Sequence, residues 1–273
     1  MRTVSFPDGG TMPVLGLGTW MMGERKREAA AELAALKLGI ELGLAFIDTA
    51  EMYGNGGAET IVGEAIAGRR DDIFLVSKVL PHNASRAGTI RACEASLKRL
   101  GTDRLDLYLL HWAGNHPLEE TIAAFEQLKR AGKIRRWGVS NFDLDEIEPL
   151  AATAVASNQV LYNLARRGIE FDLLPWCRAR GIPVMAYSPI EQGRILNNKT
   201  LVALAQVRGC SAAQLALAWV LQQDGVVTIP KATNPAHVRE NRAALDMVLS
   251  AAECAALDKA FPPPRQATPL AML

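Results

Sequence analysis

Residues 73–112 read IFLVSKVLPHNASRAGTIRACEASLKRLGTDRLDLYLLHW. Two short apolar runs, IFLVSK (73–78) and LDLYLL (105–110), flank a longer segment of helical period, TIRACEASLKRLG (89–101), which stops at a glycine. Few polar residues interrupt the runs, as expected of strands that helices cover. Strand, helix, strand in this order predicts two parallel strands joined by a crossover. The first run ends on Lys78 and the second leads straight into His111.

Outward from this unit the same alternation repeats. Further strands are expected at VLGLGT (14–19), LAFIDTA (44–50), IRRWGVS (134–140), SNQVLY (157–162), PVMAYS (183–188) and VVTIP (226–230). Helices are expected between them, among them REAAAELAALKLGIELG (27–43) and LEETIAAFEQLKRAG (118–132). Gly43, Gly68, Gly101, Gly132, Gly181 and Gly209 supply stop signals. The opening RTVSFPDGGTMP (2–13) predicts a small hairpin turning at Asp8-Gly9 or Gly9-Gly10. Eight strand–helix units point to an α/β fold of the (β/α)8 TIM-barrel kind, spanning 1–273 as a single domain. A doubly wound sheet would need a GxGxxG turn after its first strand. Gly16 and Gly18 are followed next by Gly23, which breaks that pattern.

With 49% apolar and 22% charged residues, the chain has the composition of an ordinary globular protein with material for a core. A net charge of +1 and the lack of a basic run argue against nucleic acid or an anionic membrane as partner. The N-terminus MRTVSFPDGG has no apolar stretch behind Arg2, so no secretory signal is read. No run approaches the ~18 apolar residues of a membrane span. Cys93, Cys177, Cys210 and Cys254 stand singly, without metal-like spacing, as in a reducing compartment. A cytoplasmic monomer is the expectation.

Active sites of such barrels lie at the C-terminal ends of the strands. The second strand ends in Asp48, with Tyr53 just beyond, the third in Lys78, and the fourth meets His111. The fifth delivers Ser140 and Asn141, the seventh Tyr187 and Ser188, and the eighth Pro230 and Lys231; Gln159 sits near the start of the sixth. Singly, each has an ordinary reading: a helix cap, a surface lysine, a packed tyrosine, a core histidine. Four ionisable groups reaching one rim from successive strands are the argument for a site.

At these residues the chain resembles the aldo-keto reductase family, and within it the short bacterial members similar to 2,5-diketo-gluconate reductases. The motifs are GLGTW (16–20), FIDTAEMYGNGGAET (46–60), SK (77–78), LYLLHW (107–112), GVSNF (138–142), NQVLYN (158–163), AYSP (186–189) and IPKATNPAHVRENRAALD (229–246). The resemblance implies a catalytic tetrad of Asp48, Tyr53, Lys78 and His111, and reduction of an aldehyde or ketone by NADP(H), with NAD(H) second. A nicotinamide would supply hydride, and Tyr53 the proton, its pKa depressed by Lys78 while Asp48 orients Lys78. His111 would steer the carbonyl oxygen. For the cofactor the resemblance implies Ser140, Asn141 and Gln159 at the carboxamide and Tyr187 stacked on the ring. Ser188, Pro189, Ile190, Gln192, Gly193 and Arg194 would border the pyrophosphate. Lys231 and Arg239 would meet the 2′-phosphate, Glu240 and Asn241 the adenine, with Ile229, Ala232, Thr233 and His237 flanking them.

One departure bears on cofactor choice. Many members carry Ser after the last-strand lysine and Arg six residues beyond it, where this chain has Ala232 and His237. The substrate, a small carbonyl compound, would meet Trp20, Met21, Met22, Val79 and Trp112, an apolar mouth suited to aldehydes and dicarbonyls. A short tail, PPPRQATPLAML, predicts an open site. A Schiff-base lyase built on Lys78 or Lys231 would leave Ser140-Asn141, Gln159 and Tyr187-Ser188 unexplained. A metal-dependent hydrolase would want His-x-His after the first strand, where Gly18-Thr19-Trp20 stands, so no metal is expected. The non-catalytic rival is an NADP(H)-binding regulator on the same fold.

Overall fold

The computed structural model describes all 273 residues. The hairpin pairs β1 (Thr3–Ser5) with β2 (Thr11–Pro13). It turns at Gly9, left-handed at φ 85°, where the Gly10 N–H donates to Asp8 Oδ1. Then follow β3 (Leu17–Gly18), α1 (Ala29–Glu41), β4 (Phe46–Asp48), α2 (Gly57–Ile66), β5 (Phe74–Val79), α3 (Arg86–Leu100), β6 (Leu105–Leu110), α4 (Leu118–Arg130), β7 (Ile134–Ser140), α5 (Leu144–Ile147) and β8 (Val155–Leu161). The remainder is α6 (Leu173–Ala179), β9 (Val184–Tyr187), α7 (Lys199–Arg208), α8 (Ala212–Leu221), β10 (Val226–Thr228), α9 (Pro235–Ala244) and α10 (Ala251–Ala260).

From β3 to β10 each strand pairs in parallel with the next. The sheet closes where Leu15 bridges Thr228. At that seam the Gly16 N–H donates to Thr228 O at 2.9 Å and the Gly18 N–H to Pro230 O at 3.1 Å. The fold is therefore the expected (β/α)8 barrel. Gly16 and Gly18, the glycines that resembled a phosphate turn, serve the closure instead. A Cβ on Gly18 would strike the Ile229 carbonyl, and one on Gly16 the Phe46 ring. The first and last strands, β3 and β10, are shorter than the apolar runs, and the flanking residues Val14, Gly16 and Pro230 still hydrogen-bond across the seam.

The hairpin seals the N-terminal end of the barrel. Phe6 stacks on Phe74, which meets Phe46 edge-on, and these two rings begin β5 and β4. Arg136 lies over Phe6 and its Nε donates to Asp8 at 2.8 Å. One apolar cluster runs from the barrel interior into the helical coat. Around it α1 packs on α2 and α9, which closes the outer ring, and α10 covers α7. Local signals agree with this packing: α3 begins at Ser85, whose Oγ accepts from the Gly88 N–H, and ends at left-handed Gly101. No single helix is long and apolar enough to cross a membrane.

Gly18→Ala is expected to destabilise the barrel by about 1–3 kcal/mol, the cost of forcing an extra carbon into a packed seam. Urea unfolding followed by circular dichroism measures it, and an unchanged midpoint would refute this account of the closure.

Candidate active site

Asp48 ends β4 and pairs across the sheet with Val76. Residues two apart on a strand share a face, so Lys78 stands on the same side as Val76, one step nearer the rim. Its Nζ donates to Asp48 Oδ2 at 2.8 Å, to the Thr49 carbonyl at 2.9 Å and to Tyr53 Oη at 3.1 Å. These bonds use all three ammonium hydrogens, and the side chain is fully buried. Gln159 Nε2 donates to the other Asp48 oxygen at 2.8 Å. Because β8 begins two residues earlier than expected, Gln159 lies past the middle of the strand.

Burial acts against the Lys78 ammonium, but Asp48 and Tyr53 hold its pKa above the ordinary lysine value. Burial also dominates at Tyr53 and raises its phenol; Lys78 pulls the value down and Asp48 pushes it back up. The net shift is upward, which corrects the expectation that Lys78 depresses it. Asp48 answers most of the lysine's charge, so little remains to favour a phenolate in a buried place. Tyr53 therefore carries its proton at neutral pH. Its oxygen accepts from Lys78, which leaves its own hydrogen free to turn toward the cavity.

His111 follows β6 and is 8% exposed. Its ring stands edge-on to Tyr53, with centroids 5.8 Å apart. Burial first, and Lys78 second, lower its pKa to about 2, so the ring is neutral and offers one donor and one acceptor. Its Nδ1 is buried without a protein partner.

Asp48, Tyr53 and His111 face a cavity of about 950 Å³ that crosses the strand ends, with Lys78 immediately behind them. Trp20, Met21 and Trp112 stand at its mouth. Ser140, Asn141, Gln159 and Tyr187 line its middle. They are joined to each other: Ser140 Oγ donates to Gln159 O, Asn141 Nδ2 to His111 O and Tyr187 Oη to Asn141 Oδ1. Ser188, Pro189, Ile190, Gln192 and Gly193 continue the wall. Ile229, Lys231, His237, Glu240 and Asn241 form the far end.

Several expected residues stand elsewhere. Val79 follows inward-facing Lys78 on a strand, so alternation sends it, fully buried, toward the helices. Left-handed Met21, at φ 64°, turns the chain so that Met22 enters the core. Arg194 forms an ion pair with Glu191 rather than lining the cavity. Ala232, Thr233 and Arg239 are also off the wall. On α9, residues 237, 240 and 241 share one face at helical spacing, whereas 239 is about 200° around from 237. The nitrogen-bearing side chain that helix α9 turns toward the cavity beside Glu240 and Asn241 is His237.

The expectation of an open site is also corrected. The Leu270 N–H donates to Asp143 Oδ2 at 3.1 Å, and this leads the tail over the rim so that Met272 and Leu273 line the cavity. The apolar ending LAML was the available signal. Ser211, the start of α8, was missed as a wall residue; its capping box with Gln214 was legible as SAAQ. All six non-glycine residues with left-handed backbone (Met21, Asn55, Asn141, Ser188, Glu191 and Gln192) follow strands at this same rim. Such strain persists only where the surroundings over-determine it, and it gathers at functional sites.

Residues 14–261 match the Aldo/keto reductase family. The chain belongs to that family. Methylglyoxal reductase YeaE of Escherichia coli (strain K12) is 53% identical to it over 281 residues, covering 100% of this chain and 99% of the relative. Glyoxal reductase of Bacillus subtilis (strain 168) is 38% identical, over 91% of this chain and 88% of its own. An aldo/keto reductase from Klebsiella pneumoniae, crystallised with NADP and acetate, superposes with a TM-score of 0.96 at 52% identity, covering 100% and 99% of the two chains. As a member, the chain is an oxidoreductase.

With Tyr53 as the proposed proton donor, the two rings would set the pH dependence of reduction. His111 is neutral above about pH 2, and Tyr53 gives up its proton only above the ordinary tyrosine value. The reduction rate at saturating substrates is therefore expected to run level between about pH 6 and 8 and to fall above about pH 10, where the acid is lost. A steep change in kcat near pH 6.5, in a buffered pH series, would assign a titrating role to His111 and contradict its neutral state.

Proposed function

We propose that the chain reduces aldehydes and ketones to alcohols with NADPH, with Tyr53 as proton donor. The observation that carries this reading is the buried Asp48–Lys78–Tyr53 chain of hydrogen bonds opening on the cavity beside neutral His111. The residues fit a dinucleotide. The cavity, about 950 Å³, has amide and hydroxyl groups in its middle, a tyrosine to stack against, and Lys231 and His237 at its far end. Reduced nicotinamide, when bound, supplies the hydride. Ser140, Asn141 and Gln159 would hold its carboxamide and Tyr187 its ring, while Lys231 and His237 would meet the 2′-phosphate.

The protein's own part in the reaction is proton delivery and orientation. Lys78, clamped by Asp48 and Thr49, fixes Tyr53 Oη. The phenol hydrogen then points at a carbonyl oxygen seated between Tyr53 and His111, and the neutral His111 ring donates a second hydrogen bond to that oxygen. Trp20, Trp112, Met272 and Leu273 exclude water around it. Small dicarbonyls are the favoured substrates: the named relatives act on methylglyoxal and glyoxal, and the donors converge on one carbonyl beneath an apolar mouth. The whole of 1–273 works as one unit, because the tail completes the wall of a site built on the strands.

Two measurements test this. NADPH consumption with a panel of aldehydes and dicarbonyls should show turnover, and Tyr53→Phe should abolish nearly all of it, by about 10²-fold or more, while NADPH still binds. Binding without turnover in the wild type would favour a non-catalytic NADP(H)-binding role. Separately, His237→Arg should tighten NADPH by about five-fold and leave NADH unchanged in fluorescence titration, since an arginine meets phosphate through two parallel donors. Equal tightening of both cofactors would place the 2′-phosphate elsewhere.

A further inference from the structure

The loop after β9 is the most strained segment of the protein. Ser188, Glu191 and Gln192 have φ values of 48°, 51° and 54°. None of them is glycine, so nothing in their own chemistry favours the left-handed region. Ser188, Pro189, Ile190, Gln192 and Gly193 all line the cavity, and Glu191 alone among residues 188–193 does not. It turns the other way and is 3% exposed.

Its carboxylate is met from three directions. Asn163 Nδ2 donates to Oε2 at 2.8 Å, and Arg166 Nε donates to Oε1 at 2.9 Å. Arg194, one residue past the loop, reaches Oε1 at 3.2 Å. The same Asn163 amide donates to the Ser188 carbonyl at 2.9 Å, so one buried side chain beyond β8 holds the strained turn at both Ser188 and Glu191. Asn163 Oδ1 in turn accepts from the Ala165 and Arg166 N–H groups. Arg166 and Arg194 hold the Glu191 carboxyl below its ordinary value, against burial, so the anchor is an anion throughout the working pH range.

We propose that Glu191 is a positioning residue for the cofactor, holding loop 188–193 from behind in the strained shape that receives the diphosphate. It touches neither substrate nor cofactor. The strain is met within the folded protein by the Asn163, Arg166 and Arg194 contacts before any ligand arrives, so binding does not have to supply it. Without the anchor the loop relaxes, and the dinucleotide must order it on each binding event. Neutralised by its two arginines, the carboxylate also does not repel the phosphates in front of it.

This inference rests on the proposed NADP(H) function, and the test separates the two. NADPH, 2′-phospho-ADP-ribose and adenosine 2′-monophosphate are titrated by calorimetry into full-length wild type, Glu191→Ala and Glu191→Gln, with thermal melts and steady-state kinetics alongside. Glu191→Ala should weaken NADPH and 2′-phospho-ADP-ribose, the two ligands carrying the diphosphate, by ten-fold or more. Adenosine 2′-monophosphate should bind within two-fold of wild type, and kcat at saturating NADPH should stay within about three-fold. Glu191→Gln keeps one acceptor and should weaken the diphosphate ligands by an intermediate factor; it carries the same test if the alanine variant melts early. Equal weakening of all three ligands, or unchanged affinity for all of them, overturns the positioning role. Failure of the wild type to bind NADPH overturns the cofactor assignment and this inference with it.

Discussion

A lysine ammonium with no exposed surface lies at the C-terminal end of this barrel, and the site is arranged around keeping it charged. A buried cation is tolerable only if each of its hydrogens finds an acceptor and a countercharge stands close. Asp48, Thr49 and Tyr53 meet that requirement from the end of β4 and the loop behind it. Gln159 meets the remaining oxygen of Asp48 from β8. Removing one member of such a pair costs about 3–5 kcal/mol, because the other charge stays buried and unpaired. Strand register around the barrel is thus coupled to the chemistry, since a one-residue slip in β5 would exchange Lys78 for Val79 at the centre.

The same pair explains why Tyr53 is an acid that keeps its proton. A lysine beside a tyrosine reads, in isolation, as a device for making phenolate. Here Asp48 has already claimed the charge, and burial disfavours a second anion next to the first. What Lys78 gives Tyr53 is direction, through a donated hydrogen bond. His111, neutral by burial, adds a second directed donor without adding charge. In the proposed reaction the cleft orients these polar groups toward a carbonyl oxygen inside an apolar surround, where such bonds are strong.

Around this rigid centre the rim loops carry the strain. The barrel places the strand ends, and left-handed residues then turn the loops after β3, β4, β7 and β9. Loops held this way need anchors on the side away from the ligand. Glu191 and Asn163 brace the turn after β9, and Asp143 catches the tail at Leu270. The wall of the cavity depends on polar contacts that do not themselves face it.

The strand–helix alternation, the glycines that stop the helices and the four ionisable rim residues were legible in the chain, because period, stop signals and strand-end positions are local properties. Asp48, Tyr53, Lys78 and His111 came together as their places at the ends of successive strands required, since parallel strands in a barrel align their ends. Which side chains face the cavity was decided in three dimensions. Met22 and Val79 went to the core through one turn and one step of strand alternation, and Arg239 left the wall through two residues of helical rotation. The role of Glu191 was not legible in the sequence, because two of its partners, Asn163 and Arg166, meet it only when β8 and β9 lie side by side. The tail over the site is tied down by a contact between residues 127 positions apart. Even the direction of the Tyr53 shift waited on the fold, because a pKa answers to burial and to the sum of neighbouring charges, and neither is a property of sequence order.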